Sequence, residues 1–255
     1  MKFILIKKRT LLHGIIAVVL LGLGVAGVYL TDSAKVYSSV SPCKMPICSV
    51  KTEQKTVALT FDAAWGGENS AVILKTLTDF DVPATFFVTG QWAEKYPEEL
   101  AALASSDRVE IGTHSNTHPH MTKLSKRQME LELTTSVSLI QAATEKDVKL
   151  FRAPYGEYSD GLLAVADKLG LQSIGHSIDT LDRDGKSAYD IVDRVMAHIK
   201  PGGIVWMHND GKNTPEALPA MIQGLKNKGY SFATVGDLIY KDGYFVSETG
   251  VQARR

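Results

Sequence analysis

The chain of 255 residues carries 28 basic and 28 acidic side chains, and 44% of its residues are hydrophobic. A formal charge of zero provides no extended positive surface, which argues against nucleic acid as a partner. The apolar share is sufficient for a buried core, so the composition does not favour a disordered chain and suits one large domain or two small ones.

The N-terminal segment predicts a membrane span. Residues 11–30 contain no Asp, Glu, Lys or Arg, and about 20 apolar residues are enough to cross a bilayer as a helix. Lys7, Lys8 and Arg9 precede this segment, so the positive-inside rule places residues 1–10 in the cytoplasm as a short tail. The alternative is a cleaved signal peptide, after which the protein would be secreted. In both cases we expect the bulk of the chain to lie outside the cytoplasm.

Residues 31–55 predict an extracytoplasmic linker, because they are rich in Ser, Thr, Lys and Pro and show no sustained period. The two cysteines of the chain, Cys43 and Cys48, lie in this segment. An oxidising compartment allows them to close a small disulfide loop. The sequence leaves open whether they pair or remain free thiols.

From residue 56 onward, short apolar runs alternate with longer amphipathic runs, which predicts βα units and a largely parallel sheet. The predicted strands are 57–61, 84–88, 109–112, 148–151, 171–177, 204–207 and 231–235. The predicted helices are 70–79, 93–105, 125–143, 160–169, 189–199 and 215–228. About seven such units in roughly 200 residues favour a closed or nearly closed β/α barrel over an open doubly wound sheet. We assign this domain to 56–242 and a C-terminal tail to 243–255.

Several ionisable side chains stand where the predicted strands end. They are Asp62, His114, His118, Arg152, Asp179, Asp182 and His208. The carboxyl ends of parallel strands share one face of a β/α fold, so we expect these groups to converge there. The sequence therefore predicts one site at this rim of the sheet.

The spacing of His114 and His118 is compatible with a metal site. Two neutral imidazoles four residues apart can bind a divalent cation such as zinc. A pair with this spacing is also common on solvated surfaces. Their position directly after a predicted buried strand favours the metal-binding interpretation.

Asp62 and His208 are the candidate base and acid. Asp62 closes an apolar strand, and Arg152 is a candidate partner that would keep its carboxylate ionised. The same pair can also be a purely structural salt bridge. His208 ends a strongly apolar strand, and a neighbouring Asp182 would stabilise its cationic form for use as a general acid.

Five ordered segments resemble the motifs of the polysaccharide deacetylase family, also called the NodB homology domain or carbohydrate esterase family 4. They are TFDAAWG (60–66), HSNTH (114–118), RAPYG (152–156), DTLDRDG (179–185) and IVWMHND (204–210). The resemblance implies a distorted (β/α)7-type barrel of the NodB kind, preceded here by one transmembrane helix. The N-terminal span and the TFDAAWG variant look most like the sporulation-type deacetylases of endospore-forming bacteria.

The resemblance implies a metal-dependent hydrolase that removes N-acetyl groups from the amino sugars of a cell-wall polysaccharide, peptidoglycan or a chitin-like polymer. Its cofactor would be a divalent metal, zinc or alternatively cobalt, held by His114 and His118. The implied catalytic set is Asp62 as base, His208 as acid, Arg152 and Asp182 as their respective partners, and the backbone N–H of Tyr155 as an oxyanion donor. Tyr155, Trp206 and Trp65 would contact the sugar. We expect a monomeric catalytic domain, joined to the membrane by the N-terminal helix.

Three positions depart from the family pattern. Ala63 stands where members commonly have a second Asp that completes an Asp-His-His metal triad. Arg183 replaces a common Trp of the sugar groove, and Trp206 replaces a leucine of the acetyl pocket. The remaining candidates for a third metal ligand are water, Asp62, Asn116, His120 and Glu68.

Ala63 therefore keeps alternative functions open. A catalytic zinc site normally has three protein ligands, so loss of one favours a catalytically weak or silent glycan-binding protein on the same barrel. A retained base and acid argue against a pure binding protein. A small-molecule amidase on the same fold is a third alternative.

Overall fold

A computed structural model describes residues 44–255 of the chain. Within this range the strands are β1 Ser49–Val50, β2 Thr56–Ala63, β3 Ala84–Val88, β4 Val109–Thr113, β5 Leu150–Phe151, β6 Gln172–Ser173, β7 Ile178–Asp179, β8 Ile204–His208, β9 Ser231–Phe232, β10 Tyr244–Val246 and β11 Val251–Arg254. The α-helices are α1 Ser70–Asp79, α2 Gly90–Lys95, α3 Pro97–Ser105, α4 Lys126–Thr144, α5 Asp160–Lys168, α6 Ala188–His198, α7 Thr214–Asn227 and α8 Val235–Leu238. Two short 3₁₀ turns occupy Met121–Lys123 and Pro154–Gly156.

The predicted α/β class is confirmed, with a curled parallel sheet at its centre. Seven strands follow the order β6-β5-β4-β3-β2-β8-β7, and β9 also pairs with β2. In the described chain β6 and β7 form the two edges of this order rather than a pair, so the sheet is a partial barrel. This arrangement is consistent with the distorted (β/α)7 barrel that the resemblance implies.

The central strands are buried because helices cover the parallel sheet. All five residues of β3 and seven of the eight residues of β2 are buried. Phe61 and Phe86 from these two strands stack with their ring centroids 4.8 Å apart. Ile73 of α1 and Met221 of α7 belong to the same apolar core. The rigid centre of the sheet thus carries the strand whose end presents Asp62.

The predicted helix at 93–105 is two helices in the structure. α2 ends at Lys95, and α3 begins at Pro97. Proline has no N–H to donate and restricts the preceding residue, so a helix ends before it and a new one starts with proline in its first turn. Tyr96, between the two helices, has a non-helical φ of −127° and ψ of 58°.

Both ends of the described chain are more ordered than the predicted linker and tail. β1 pairs with β11 in parallel, and β10 pairs with β11 in antiparallel fashion, which builds a separate three-stranded sheet. β1 thus lies inside the predicted linker at 31–55, and β10 and β11 lie inside the predicted tail at 243–255. The strands are only two to four residues long, which is too short for an alternating pattern to be recognised in the sequence.

Gly202 is a point where this small sheet approaches the barrel, and we expect Gly202→Ala to destabilise the protein. Gly202 has a φ of +75°, and a Cβ there would lie 1.8 Å from the carbonyl oxygen of Val50. Gly170 is a matched control, because it has a φ of +73° with open space around it. Gly170→Ala should cost about 1–2 kcal/mol from the left-handed backbone alone, and Gly202→Ala should cost more. Urea denaturation of both variants measures the difference, and equal losses would contradict the predicted clash.

The predicted membrane span at 11–30 and the tail at 1–10 lie outside the described residues, as does Cys43, whose pairing with Cys48 the sequence leaves open. In the described range, no helix combines the length and the apolar character that a bilayer crossing requires. Cys48 is half-buried, and its Sγ lies 3.6 Å from the carbonyl oxygen of Pro46.

Candidate active site

The ends of four parallel strands of the same sheet bring the predicted residues to one rim. Asp62 and His208 occupy the ends of β2 and β8 and are register partners in that ladder. His114 follows β4 directly, and Arg152 follows β5. The expected convergence at the carboxyl ends of the strands is therefore what the structure shows.

Asp62 is a buried carboxylate with three polar neighbours. Arg152 donates from Nη1 to Asp62 Oδ1 at 3.0 Å. Trp206 donates from Nε1 to Asp62 Oδ2 at 2.6 Å. His114 Nε2 lies 3.4 Å from the same Oδ2. Both carboxylate oxygens are thus engaged by side chains of this chain.

Arg152 is fully enclosed and holds Asp62 in a fixed orientation. Its Nη1 also donates to Thr60 Oγ1 at 2.7 Å, and its Nη2 donates to the carbonyl oxygen of Gly175 at 2.9 Å. The guanidinium lies over the Phe87 ring at 4.3 Å. Thr60 was missed in the sequence, although its position two residues before Asp62 places both side chains on the same face of β2.

His114 has its tautomer fixed by the backbone. Its Nδ1 lies 2.8 Å from the carbonyl oxygen of Arg152, which can only accept, so Nδ1 carries a proton. In the neutral ring, Nε2 is then an acceptor that faces Asp62. The ring of His118 lies 4.9 Å from that of His114, centroid to centroid. Within the described residues, the buried Nδ1 of His118 has no hydrogen-bond partner.

His208 is paired with Asp182 as the sequence suggests. His208 Nδ1 donates to Asp182 Oδ1 at 2.8 Å, and the backbone N–H of His208 donates to Asp182 Oδ2 at 2.7 Å. Thr214 donates a further hydrogen bond to Oδ2 at 2.7 Å. The Asp182 side chain is fully buried, so its charge acts on His208 with little screening by solvent.

The electrostatic environment keeps Asp62 ionised. Burial by itself raises the pKa of the Asp62 carboxyl, but attraction to His114 and Arg152 and the hydrogen bond from Trp206 outweigh it, so the net pKa is lowered. Burial also lowers the pKa of His114, against the attraction of Asp62. At neutral pH, the permanently charged Arg152 is therefore the cation that stabilises the Asp62 carboxylate.

Two further imidazoles are kept neutral by burial, and we expect acidification to destabilise the fold through them. Burial lowers the pKa of His118 and of His176 to about 4, against an ordinary value of 6.5. Between these values the unfolded chain binds more protons than the folded one, so stability falls as the pH falls from 6.5 towards 4. Melting temperatures of metal-free protein across this range should decline less for His176→Gln than for the wild type. His198→Gln is the matched control, because His198 is exposed; identical declines for wild type and His176→Gln would contradict the prediction.

Trp65 and Tyr155 flank His118 at the mouth of the site. Trp65 is 45% exposed and Tyr155 is 49% exposed. Their ring centroids lie 4.3 Å and 4.7 Å from that of His118. Tyr155 has a φ of 60° in the turn after β5, and its ring stacks on His120 at 4.1 Å. Two of the three predicted sugar-contacting residues thus form an accessible wall.

Trp206 does not belong to this wall. Its indole donates to Asp62, lies stacked on the His176 ring at 4.4 Å, and approaches the His208 ring at 5.0 Å. The sequence indicates no partner for His176, and the structure shows that this partner is the Trp206 ring. Arg183 is the residue that adjoins the wall, with its guanidinium 4.8 Å from the Trp65 ring and 3.2 Å from Asp210.

The residues present do not complete a three-ligand metal site. Across residues 44–255, no cluster of three or more His, Cys, Asp or Glu is arranged to hold a metal ion. Two of the candidates for a third ligand are engaged elsewhere, because His120 contacts Glu157 at 3.0 Å and Glu68 accepts from Gly67 N. The buried Oδ1 of Asn116 has no hydrogen-bond partner within the described residues. His114 and His118 remain as two imidazole donors without a third His, Cys, Asp or Glu in the described part of the chain.

Comparison with known proteins gives consistent similarities. The polysaccharide deacetylase family matches residues 49–174. The peptidoglycan-N-acetylmuramic acid deacetylase PdaA of Bacillus subtilis is 30% identical, over 74% of this chain and 73% of its own length. A peptidoglycan-N-acetylglucosamine deacetylase of Bacillus cereus is 31% identical, over 70% of this chain and 66% of its own length.

Among solved structures, a CE4 family pseudoenzyme from Bacillus anthracis is similar with a TM-score of 0.74 and 35% identity, covering 79% of this chain and 70% of its own. A mutant of that pseudoenzyme with restored enzymatic activity has the same TM-score. The similar proteins therefore include both proteins named as deacetylases and a protein described as a pseudoenzyme.

Proposed function

This chain belongs to the polysaccharide deacetylase family, and from that premise and the site geometry we propose that it is a hydrolase that removes N-acetyl groups from amino sugars of a cell-wall polysaccharide. The observation that carries the proposal is the pairing of Asp62 with His208 on adjacent strands. Arg152 holds the first as a carboxylate, and Asp182 accepts a hydrogen bond from Nδ1 of the second. A base and an acid side by side are what amide hydrolysis requires.

In the proposed reaction, Asp62 takes a proton from the water that attacks the acetyl carbonyl carbon. The carbon–nitrogen bond then breaks, and imidazolium His208 gives its Nε2 proton to the departing nitrogen. The products are acetate and a free amino sugar. Asp182 accepts from Nδ1 throughout and stabilises the imidazolium, while the backbone N–H of Tyr155 donates to the oxyanion.

The proposed substrate is a polymer, peptidoglycan in preference to a chitin-like chain. The relatives named above act on peptidoglycan, and the exposed Trp65 and Tyr155 offer flat surfaces to a sugar ring at the mouth of the site. The N-terminal sequence supports a location outside the cytoplasm, either tethered to the membrane or secreted. A role in sporulation rests on the TFDAAWG variant and the predicted span.

The metal ligands are the feature in which this chain differs most from the family pattern. Polysaccharide deacetylases are generally metal-dependent, and zinc is the metal we propose for this chain. His114 and His118 would be its protein ligands, two instead of the usual three. The deficit favours a second candidate function, a weak or silent glycan-binding protein, which the 35% identity to a pseudoenzyme also supports.

Acetate release separates the two candidates. The purified chain would be incubated with peptidoglycan and with N-acetylated chito-oligosaccharides, in zinc, in cobalt and after chelator treatment. The proposed enzyme releases acetate faster with metal than with chelator. A protein that sediments with peptidoglycan yet releases no acetate under any of these conditions would be the silent binder.

A further inference from the structure

Trp206 makes a contact with Asp62 that neither the sequence nor the motif pattern indicates. Its Nε1–H donates to Asp62 Oδ2 at 2.6 Å, shorter than the 3.0 Å contact of Arg152 with the other oxygen. The Oδ2 atom is also the one that faces His114 Nε2, at 3.4 Å. The indole N–H therefore donates to the carboxylate oxygen that faces His114, one of the two candidate metal imidazoles.

The indole is held in this position from several sides. In register, Trp206 of β8 lies between Thr60 of β2 and Asp179 of β7, so its backbone is fixed by ladders on both edges. Its ring stacks on His176 with an interplanar angle of 27° and adjoins His208. A hydrogen bond to an ionised group is among the stronger ones in proteins, so displacing the indole is costly.

We propose that Trp206 is a positioning residue that closes the cation position of this site, by capping the oxygen of Asp62 that a cation would otherwise share with His114. Its N–H, together with Arg152, stabilises the buried carboxylate without any cation. Since Ala63 offers no carboxylate in compensation, the chain binds a divalent cation weakly until the indole moves away. The inference deepens the proposed function, because it concerns the same base.

The expected effect follows from the hydrogen bond that a cation must displace. Because such a bond to a charged group is comparatively strong, its loss should raise the affinity for zinc about tenfold to hundredfold. Both Trp206→Phe and Trp206→Leu remove the N–H. The phenylalanine variant keeps an aromatic ring against His176. Comparing the two variants therefore separates the effect of losing the hydrogen bond from the effect of losing the aromatic ring.

The test is isothermal titration of the chelator-treated full chain with zinc, in the absence of any sugar. Trp206→Phe and Trp206→Leu are expected to bind zinc more tightly than the wild type by the stated factor. Trp92→Phe is the matched control, because the Trp92 indole donates to the carbonyl oxygen of Gly66 instead of a site carboxylate. Its zinc affinity should equal that of the wild type.

Tryptophan fluorescence gives a second measurement. Zinc saturation should change the emission of the wild type and of Trp92→Phe, because the indole leaves Asp62, and this change should be absent in Trp206→Phe. The proposal is overturned if folded Trp206→Phe, verified by its melting temperature, binds zinc no more tightly than the wild type. It is also overturned if the wild type binds zinc as tightly as the variants do.

The outcome is independent of turnover. Tighter zinc binding by the variants without acetate release from any of them would support the role of Trp206 and refute the deacetylase. Acetate release with unchanged zinc affinity in the variants would support the deacetylase and refute this role.

Discussion

Replacing Asp62 by asparagine is expected to lower the rate of acetate release from peptidoglycan about 10²- to 10⁴-fold, the range that a positioned general base contributes. The amide cannot take a proton from water at neutral pH. It keeps the size of the side chain and one oxygen acceptor for Arg152 or Trp206. The loss should therefore appear mainly in kcat, measured from initial rates of acetate release.

Asp62→Asn also tests the fold, because it leaves the guanidinium of Arg152 without its counter-charge. Both side chains are buried, and breaking such a pair costs about 3–5 kcal/mol. A melting temperature is therefore needed beside the rates. Asp242→Asn is the matched control, since Asp242 is exposed in the turn before β10. An Asp62→Asn protein that is folded and as fast as the wild type would refute the mechanism.

The positions of the base and acid could be predicted because they follow a simple rule of parallel sheets. Apolar runs such as VALTF and IVWM predict buried strands, and the residues that follow them, Asp62 and His208, must emerge at the same rim. The Asp62–Arg152 and His208–Asp182 pairs then follow from complementary charge. The structure has both pairs at hydrogen-bonding distance.

The contacts that tune the site could not be predicted, because they depend on side-chain rotamers and on pairs of residues far apart in the chain. Trp206 stands two residues before His208, the register partner of Asp62. That its N–H reaches the carboxylate depends on the packing of the indole against His176, which the sequence does not reveal. The same limitation applies to β1 and β11. Their pairing joins residues about 200 positions apart and leaves no local pattern in the sequence.

The structure thus contains a complete proton-transfer pair and an incomplete set of metal donors. Asp62 and His208 each have a buried partner. His114 and His118 are not joined by a third His, Cys, Asp or Glu across residues 44–255. A site of this kind is compatible with slow catalysis or with binding alone. Restoring a carboxylate at residue 63 is therefore the experiment that distinguishes slow catalysis from binding alone.

Introducing that carboxylate by Ala63→Asp is expected to raise zinc affinity and the rate of acetate release together. A metal ion stabilises transition-state charge by several kcal/mol, so the rate with zinc should rise on the order of 10²-fold or more. Rates and zinc titrations of Ala63→Asp would be compared with those of Ala63→Asn, which has the same shape without the charge.

The melting temperature of metal-free Ala63→Asp is expected to fall, although its zinc affinity and rate are expected to rise. Ala63 is fully buried in the apolar core, and an added carboxylate beside Asp62 would be buried without a partner. Metal-free Ala63→Asp should therefore melt below the wild type, and saturating zinc should raise its melting temperature more than that of Ala63→Asn, because a ligand that binds only the folded state stabilises it. If zinc stabilises both variants equally and acetate release stays unchanged, residue 63 is not the missing ligand position. The loss of the family's second Asp would then not explain a weak metal site.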